Sequence, residues 1–104
     1  MTDNLFKALA DPTRRSIFEQ LSRCGEQTVH VLTARSGVSQ PAVSKHLRLL
    51  KSARLVRCRR QGRETLYNIN PAALEPLVDW LFFYQSFWQD RIANLETLIK
   101  RMDP

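Results

Sequence analysis

A mainly α-helical domain carrying one small β-hairpin is the fold that this 104-residue sequence predicts, on three observations. Apolar residues recur at helical spacing in separate segments up to Leu50, the period switches to two between Leu55 and Ile69, and a helical repeat returns after Pro71. Two of the early helical segments meet across a tight turn containing Gly37, which is the helix-turn-helix pattern, and the hairpin follows it as a wing. With 43% hydrophobic and 25% charged residues, the chain reads as one globular domain spanning 1–104, a winged helix-turn-helix.

Leu5, Phe6 and Leu9 predict a short helix from about residue 4 to Ala10. Asp11-Pro12 restarts the chain, because an aspartate accepts the free N–H groups of a first turn and proline suits the first helical position. The second helix then covers 12–24, with Ile17, Phe18 and Leu21 inward and Gly25 as its stop. Thr28 caps a third helix with Val29, Leu32 and Val31 as its candidate inward positions, ended by Gly37. Ser39 caps a fourth, whose Val43, Leu47 and Leu50 at i, i+4 and i+7 define a buried stripe. In the hairpin, Val56 and Cys58 point one way and Leu55, Arg57 and Arg59 the other; Gln61-Gly62 turns, and Thr65, Tyr67 and Ile69 alternate again.

Asn70-Pro71 caps and starts the last helical region, in which Pro76 makes the first turn a separate piece and leaves a main helix over 76–101. Leu74, Val78, Leu81, Gln85, Trp88, Ile92, Leu95, Ile99 and Met102 alternate four and three apart, a heptad-type seam broken only by Gln85. With Leu77, Phe82, Phe83, Tyr84, Phe87 and Leu98 beside it, this surface exceeds what one small domain covers. The expectation is a dimer through the first and last helices, with Leu5, Phe6, Leu9, Leu81, Phe87, Trp88, Ile92, Leu95 and Ile99 at the interface; packing on the chain's own domain is the alternative.

The charge is uneven. Residues 1–44 carry five basic and four acidic side chains and 71–104 carry three and five, whereas 45–70 carry eight basic and one acidic. Lys45, Arg48, Lys51, Arg54, Arg57, Arg59, Arg60 and Arg63 lie within 19 residues and make a field suited to polyphosphate. No apolar run reaches the roughly 20 residues of a membrane span, and the start of the chain lacks the pattern of a signal peptide, so the expected location is the cytoplasm, with no membrane partner. Cys24 and Cys58 are too few for a disulfide scaffold and read as reduced thiols. No phosphate-binding glycine loop, paired-histidine zinc motif or nucleophile elbow is present among three glycines and two histidines, which argues against an enzyme.

Burying Val43, Leu47 and Leu50 turns Gln40, Pro41, Ser44, Lys45, Arg48 and Lys51 outward, with the early residues, from Ser39 on, placed to enter a major groove. Glutamine suits adenine N6 and N7, serine serves several bases, and lysine or arginine reaches guanine or a phosphate. Ser39, Gln40, Pro41, Ser44, Lys45 and Arg48 are therefore the candidate base readers. Lys51 and the wing's Arg57, Arg59, Arg60 and Arg63 are the candidates for the DNA backbone, where guanidinium groups suit phosphate and minor groove alike. His46, next to the buried stripe, reads as packing beneath the helix rather than touching DNA.

Asp11-Pro12-Thr13-Arg14-Arg15, the run from Ser39 to Leu50, Leu55-Val56, and Arg60-Gln61-Gly62-Arg63 with Tyr67 resemble the ArsR/SmtB family of bacterial winged-helix repressors over about residues 4–100. The resemblance implies a cytoplasmic homodimeric repressor on an inverted-repeat operator, and it matches Gln40, Pro41, Ser44 and Lys45 to the family's base-reading positions. Metal-sensing relatives carry two cysteines early in the third helix, where this chain has Thr28 and His30, and residues 71–104 hold no histidine for a second site. No metal or other cofactor is therefore expected. Some relatives close a disulfide from the second helix to the last; Cys24 approximates the first position, but Cys58 lies in the wing, so a redox-responsive repressor stays an alternative to two inert thiols. Trp80, Phe83, Tyr84, Phe87 and Trp88 read as interface rather than a small-molecule pocket, and an effector is left open. A winged-helix module binding nucleic acid without sequence preference, or a protein, is the remaining alternative.

Overall fold

The computed structural model describes residues 2–102; Met1, Asp103 and Pro104, which the single-domain expectation also spans, lie outside the described residues. The order is α1 (Thr2–Ala10), α2 (Pro12–Cys24), β1 (Gln27–Thr28), α3 (Val29–Ser36), α4 (Gln40–Ser52), β2 (Val56–Gln61), β3 (Glu64–Ile69), a 3-10 turn (Pro71–Leu74), α5 (Glu75–Phe83) and α6 (Gln85–Met102). The architecture is mainly helical with a small antiparallel sheet, ordered β1-β3-β2.

The starts of α2, α3 and α4 each follow from a side chain that satisfies a free N–H of the first turn. Asp11 accepts from the Arg14 N–H at 2.9 Å, Thr28 from Val31 at 3.3 Å and Ser39 from Ala42 at 3.3 Å. Gly37 at φ +76° takes the left-handed conformation that ends α3 and lets the cap of α4, Ser39, follow two residues later.

The end of α4 has no glycine. Leu55 N–H bonds the Leu50 carbonyl and Arg54 N–H that of Lys51, the two bonds of a Schellman motif, with Arg54 in the left-handed position at φ +63°. This motif draws Leu55 inward, where it is fully buried, so the expectation that Leu55 faces out with Arg57 and Arg59 is corrected. Its carbonyl receives the Asn70 N–H at 2.8 Å, and the Asn70 side chain donates to the Arg54 carbonyl at 3.0 Å. Asn70 therefore ties the wing's exit to its entrance and makes no side-chain cap for the turn that follows.

The core is built from Leu5 and Ala8 of α1, Ile17, Phe18 and Leu21 of α2, Leu32 of α3, Val43, Leu47 and Leu50 of α4, and Leu55 and Val56 at the wing. Val29 packs against it while Val31 stays exposed, which leaves Val31 out of the inward set of α3. In the sheet, Val56 pairs with Ile69 and Cys58 with Tyr67 on the inward face, and Gln61 pairs with Glu64 around the tip. The turn residues are Gly62 and Arg63, one position beyond expectation, and Gly62 at φ +63° supplies the positive φ that a two-residue hairpin turn requires. The strand β1, whose Gln27 and Thr28 pair with Tyr67 and Leu66, was not expected and makes the hairpin a three-stranded sheet.

The C-terminal helix expected over 76–101 is two helices, interrupted at Tyr84. Its N–H turns to the Leu81 carbonyl at 3.0 Å, three residues back, while its ring meets Trp80 and Phe83 edge-on with centroids 5.1 Å apart in both cases. Three consecutive aromatic residues are indifferent helix formers, and these ring contacts favour the tightened turn. No residue of α5 or α6 is buried, and the molecule measures 64 × 31 × 22 Å.

Candidate nucleic-acid interface

The geometry of α4 sets the site. With Val43, Leu47 and Leu50 fully buried, the 3.6-residue repeat turns Gln40, Pro41, Lys45, Arg48 and Lys51 into solvent, all exposed, with Ser44 half-buried among them and the capping Ser39 exposed at the helix start. Apart from Ser39 capping the Ala42 N–H, these side chains make no hydrogen bond to another of the described residues. The result is a rigid, outward row of amide, hydroxyl and cationic groups on a helix whose opposite face is anchored in the core, and such a row can pair with the edges of bases.

The anchoring extends through Arg14 and Arg15 at the start of α2. Arg14 donates to the carbonyls of Lys7, at 3.1 Å, and Ala8, and Arg15 to that of Leu9 at 2.9 Å, so the two arginines satisfy the free C-terminal carbonyls of α1. Arg14 Nη1 also lies 3.4 Å from His46 Nδ1 of α4. The half-buried His46 therefore sits against α2, and its contact couples the start of α2 to the candidate reading helix.

In the wing, Arg57, Arg60 and Arg63 are exposed and hold no ion-pair partner among the described residues. Arg59 differs: its Nε donates to Glu26 Oε2 at 2.9 Å and its Nη2 to Oε1 at 2.6 Å, across the middle strand β3. A two-pronged carboxylate fills its fork. The hydrogen bonds from Arg59 hold the Glu26 carboxyl below its usual pKa, and Glu26 raises that of Arg59.

The candidate dimer residues divide. Leu5 is buried in the chain's own core at 3% exposure, and Leu9 packs partly on that core. Phe6 is exposed and meets Trp80 of α5 edge-on, centroids 5.5 Å apart. Leu81, Phe87, Trp88, Ile92, Leu95 and Ile99 are each about half exposed, from 47% at Phe87 to 57% at Trp88, Leu95 and Ile99. Val78, Leu81, Phe82, Gln85, Trp88, Gln89 and Ile92 line an open groove of about 420 Å³ along α5 and α6.

Among the described residues no three His, Cys, Asp or Glu side chains converge as metal ligands; Thr28 is engaged as a cap and His30 is exposed. Cys24, exposed at the end of α2, has Arg35 Nη1 3.7 Å from its sulfur, and Cys58 is half-buried on β2. Sequence reasoning assigned no structural role at the site to four residues: Arg14 and Arg15, which figure there only as part of a motif, Glu26, and Arg54 as a left-handed C-terminal residue. A cluster of basic residues just after a proline-started helix was a usable signal for the first two; nothing local announces Glu26.

A helix-turn-helix followed by a wing, with a polar and basic outward face on its second helix, is a DNA-binding architecture. The sequence model described as the bacterial regulatory protein arsR family matches residues 11–57. The chain is 40% identical over 97 residues to the HTH-type transcriptional regulator Rv2034 of Mycobacterium tuberculosis, covering 93% of this chain and 87% of that protein. It is 34% identical over 79 residues to the transcriptional repressor SdpR of Bacillus subtilis, covering 76% and 87%. The solution structure of the homodimeric winged helix-turn-helix DNA-binding domain Mb0332 of Mycobacterium bovis superposes with a TM-score of 0.66 at 30% identity, covering 80% of this chain and 79% of that one. The chain belongs to the ArsR family, whose members are DNA-binding transcriptional regulators and not enzymes.

Proposed function

We propose that this protein is a homodimeric transcriptional repressor that reads an imperfect palindrome, working in the cytoplasm as a single DNA-binding unit with α5 and α6 as its dimerisation arm. The observation that carries the reading is the outward row of α4, where Ser39, Gln40, Pro41, Ser44, Lys45 and Arg48 stand opposite the buried stripe, an arrangement that suits the major groove. Lys51, Arg57, Arg60 and Arg63 supply phosphate contacts. The repressor's action is supported by the relationship to SdpR, and the dimer by Mb0332. No helix among the described residues is long and apolar enough to cross a membrane.

Surface area supports the dimer independently. A compact monomer of 12.1 kDa exposes about 6,000 Å², whereas this chain exposes 7890 Å². The excess is more than twice the roughly 800 Å² that each partner contributes to a standard interface. Phe6, Leu81, Phe87, Trp88, Ile92, Leu95 and Ile99, with Leu9 at the margin, are the side chains that a second copy covers. Two α4 helices in such a dimer address half-sites about 34 Å apart.

The test is selection of binding sites from a random double-stranded DNA pool, with and without reductant. Enrichment of one inverted repeat is the expected result. Salt-sensitive binding without enrichment would replace the repressor by a general nucleic-acid module, and dependence on reductant would bring Cys24 into its control. On the selected site, Gln40→Ala should cost about 1–3 kcal/mol and relax the preference at one base position, as expected of a bidentate amide contact. Equal losses on specific and random DNA would remove Gln40 from base reading.

A further inference from the structure

We propose that Glu26 withholds Arg59 from the DNA backbone, so that this carboxylate sets how much of the wing's positive charge reaches phosphate. The inference rests on the DNA-binding reading above and goes beyond it by naming an acidic residue that tunes sequence-independent affinity. Eight basic side chains lie between Lys45 and Arg63, yet among the described residues Arg59 is the one that forms an ion pair.

The contact uses the chemistry by which an arginine would hold a phosphate. Two parallel N–H groups, Nε and Nη2, point at two oxygens of one anion at 2.9 and 2.6 Å. Arg59 pairs in the sheet with Leu66, which in turn pairs with Thr28, so its side chain must cross β3 to reach Glu26, two residues before Thr28. That path draws the guanidinium toward β1 and away from the tip at Gly62, where Arg60 and Arg63 lie. With the Arg59 and Glu26 side chains 56% and 31% exposed, the pair sits in water rather than in the core, and a phosphate and the carboxylate are rivals for one accessible fork. The mutual pKa shifts, Glu26 down and Arg59 up, have this same bond as their leading cause.

An arginine already neutralised by a carboxylate displaces no counterion when DNA binds, so it adds nothing to the salt dependence of affinity. Freeing Arg59 adds one phosphate contact, which steepens the plot of log affinity against log salt by about 0.9. Between 50 and 200 mM salt that increment corresponds to about a 3.5-fold change in affinity. Sequence preference, which belongs to α4, stays as it was.

The experiment measures binding of the full chain to a random-sequence duplex by fluorescence anisotropy across that salt range. The proteins are the wild type, Glu26→Gln, Arg59→Gln, the double variant and Arg60→Ala. Glu26→Gln is expected to steepen the slope by about 0.9 in the wild-type background and to leave it unchanged in the Arg59→Gln background, whereas Arg60→Ala flattens it. Steepening of equal size in both backgrounds would mean that Glu26 acts only through its general field, and the proposal would fall. A flatter slope for Arg59→Gln than for the wild type would mean that Arg59 already holds phosphate, and the proposal would fall on that result too. Absence of salt-dependent binding by the wild type would instead overturn the DNA-binding reading itself. Thermal melting of each variant, expected within a few degrees of the wild type for an exposed pair, keeps loss of fold apart from loss of contact.

Discussion

The body from α1 to β3 and the arm formed by α5 and α6 both carry apolar stripes, the arm more densely than the body, yet they end in opposite states. In the body, Ile17, Leu21, Leu32, Val43, Leu47, Leu50 and Leu55 are sealed from water, while in the arm Leu81, Trp88, Ile92, Leu95 and Ile99 keep about half of their surface in it. The body's helices cross one another and close on a sheet, so each stripe finds its partner within the chain. The arm's seam runs lengthwise along two nearly successive helices, and beyond Leu74 its residues stay largely exposed. Hydrophobic content alone therefore does not decide what belongs to a core; the partner for a stripe must come either from the chain or from a second copy.

Two substitutions set that contrast against measurement. Leu47→Ala removes a fully buried side chain from the inner face of α4 and should cost about 2–5 kcal/mol of folding stability, read by chemical denaturation. Trp88→Glu should leave the body folded but place a charge in the arm's seam, weakening the dimer about a hundredfold, or roughly 3 kcal/mol, by sedimentation. An intact Trp88→Glu dimer would show that the seam is not the contact between copies. Unfolding of the whole chain by Trp88→Glu would show that body and arm do not stand apart in stability.

The boundary between the two regions marks what could be read in the sequence. The stripe of α4 and its Ser39 cap were legible because helical spacing and capping chemistry act within four residues. Leu5 was not: a short amphipathic stripe says that a side is apolar, but not whether it meets its own core or another copy, and α1 turned Leu5 and Ala8 inward and Phe6 toward Trp80. A two-residue strand such as β1 is too short to display a period. The break at Tyr84 was masked because the apolar spacing from Leu81 to Gln85 and Trp88 runs through it unchanged. In the candidate site, the row of α4 was legible residue by residue, whereas Glu26 and Arg59 are 33 positions apart and are brought together by the sheet alone.

A smaller effect is expected where the body hands the chain to the wing. Arg54 at φ +63° carries a side chain in the conformation that favours glycine, at a cost of about 1–2 kcal/mol. Glycine removes that cost but gains about 0.5–1 kcal/mol of unfolded-state entropy. Arg54→Gly should therefore stabilise the body by about 0.5–1 kcal/mol in denaturation, and Arg54→Val, β-branched, should destabilise it. A neutral or harmful glycine would mean that the arginine side chain does more for the fold than its backbone position reveals.

The smallest effect concerns Asp11, and it separates the body from the arm by pH. The Arg14 backbone N–H, 2.9 Å from Oδ1, is the leading cause that holds the Asp11 carboxyl below its ordinary value of 3.8, with the charges of His46 and Arg14 assisting. A carboxyl depressed in the folded state binds its proton more tightly once the chain unfolds. Its contribution to stability is thus complete above about 3.8 and disappears as pH falls through the lower folded value. Asp11→Asn keeps a capping oxygen but cannot ionise, so the wild type should be the more stable at neutral pH and the advantage should vanish in acid. Paired denaturation curves at neutral pH and well below pH 3.8, past the lowered folded value, measure this. A gap that persists in acid would assign the role of Asp11 to its shape rather than its charge, and a gap in dimer dissociation of the same pH dependence would show that the α1–α2 corner is felt by the arm.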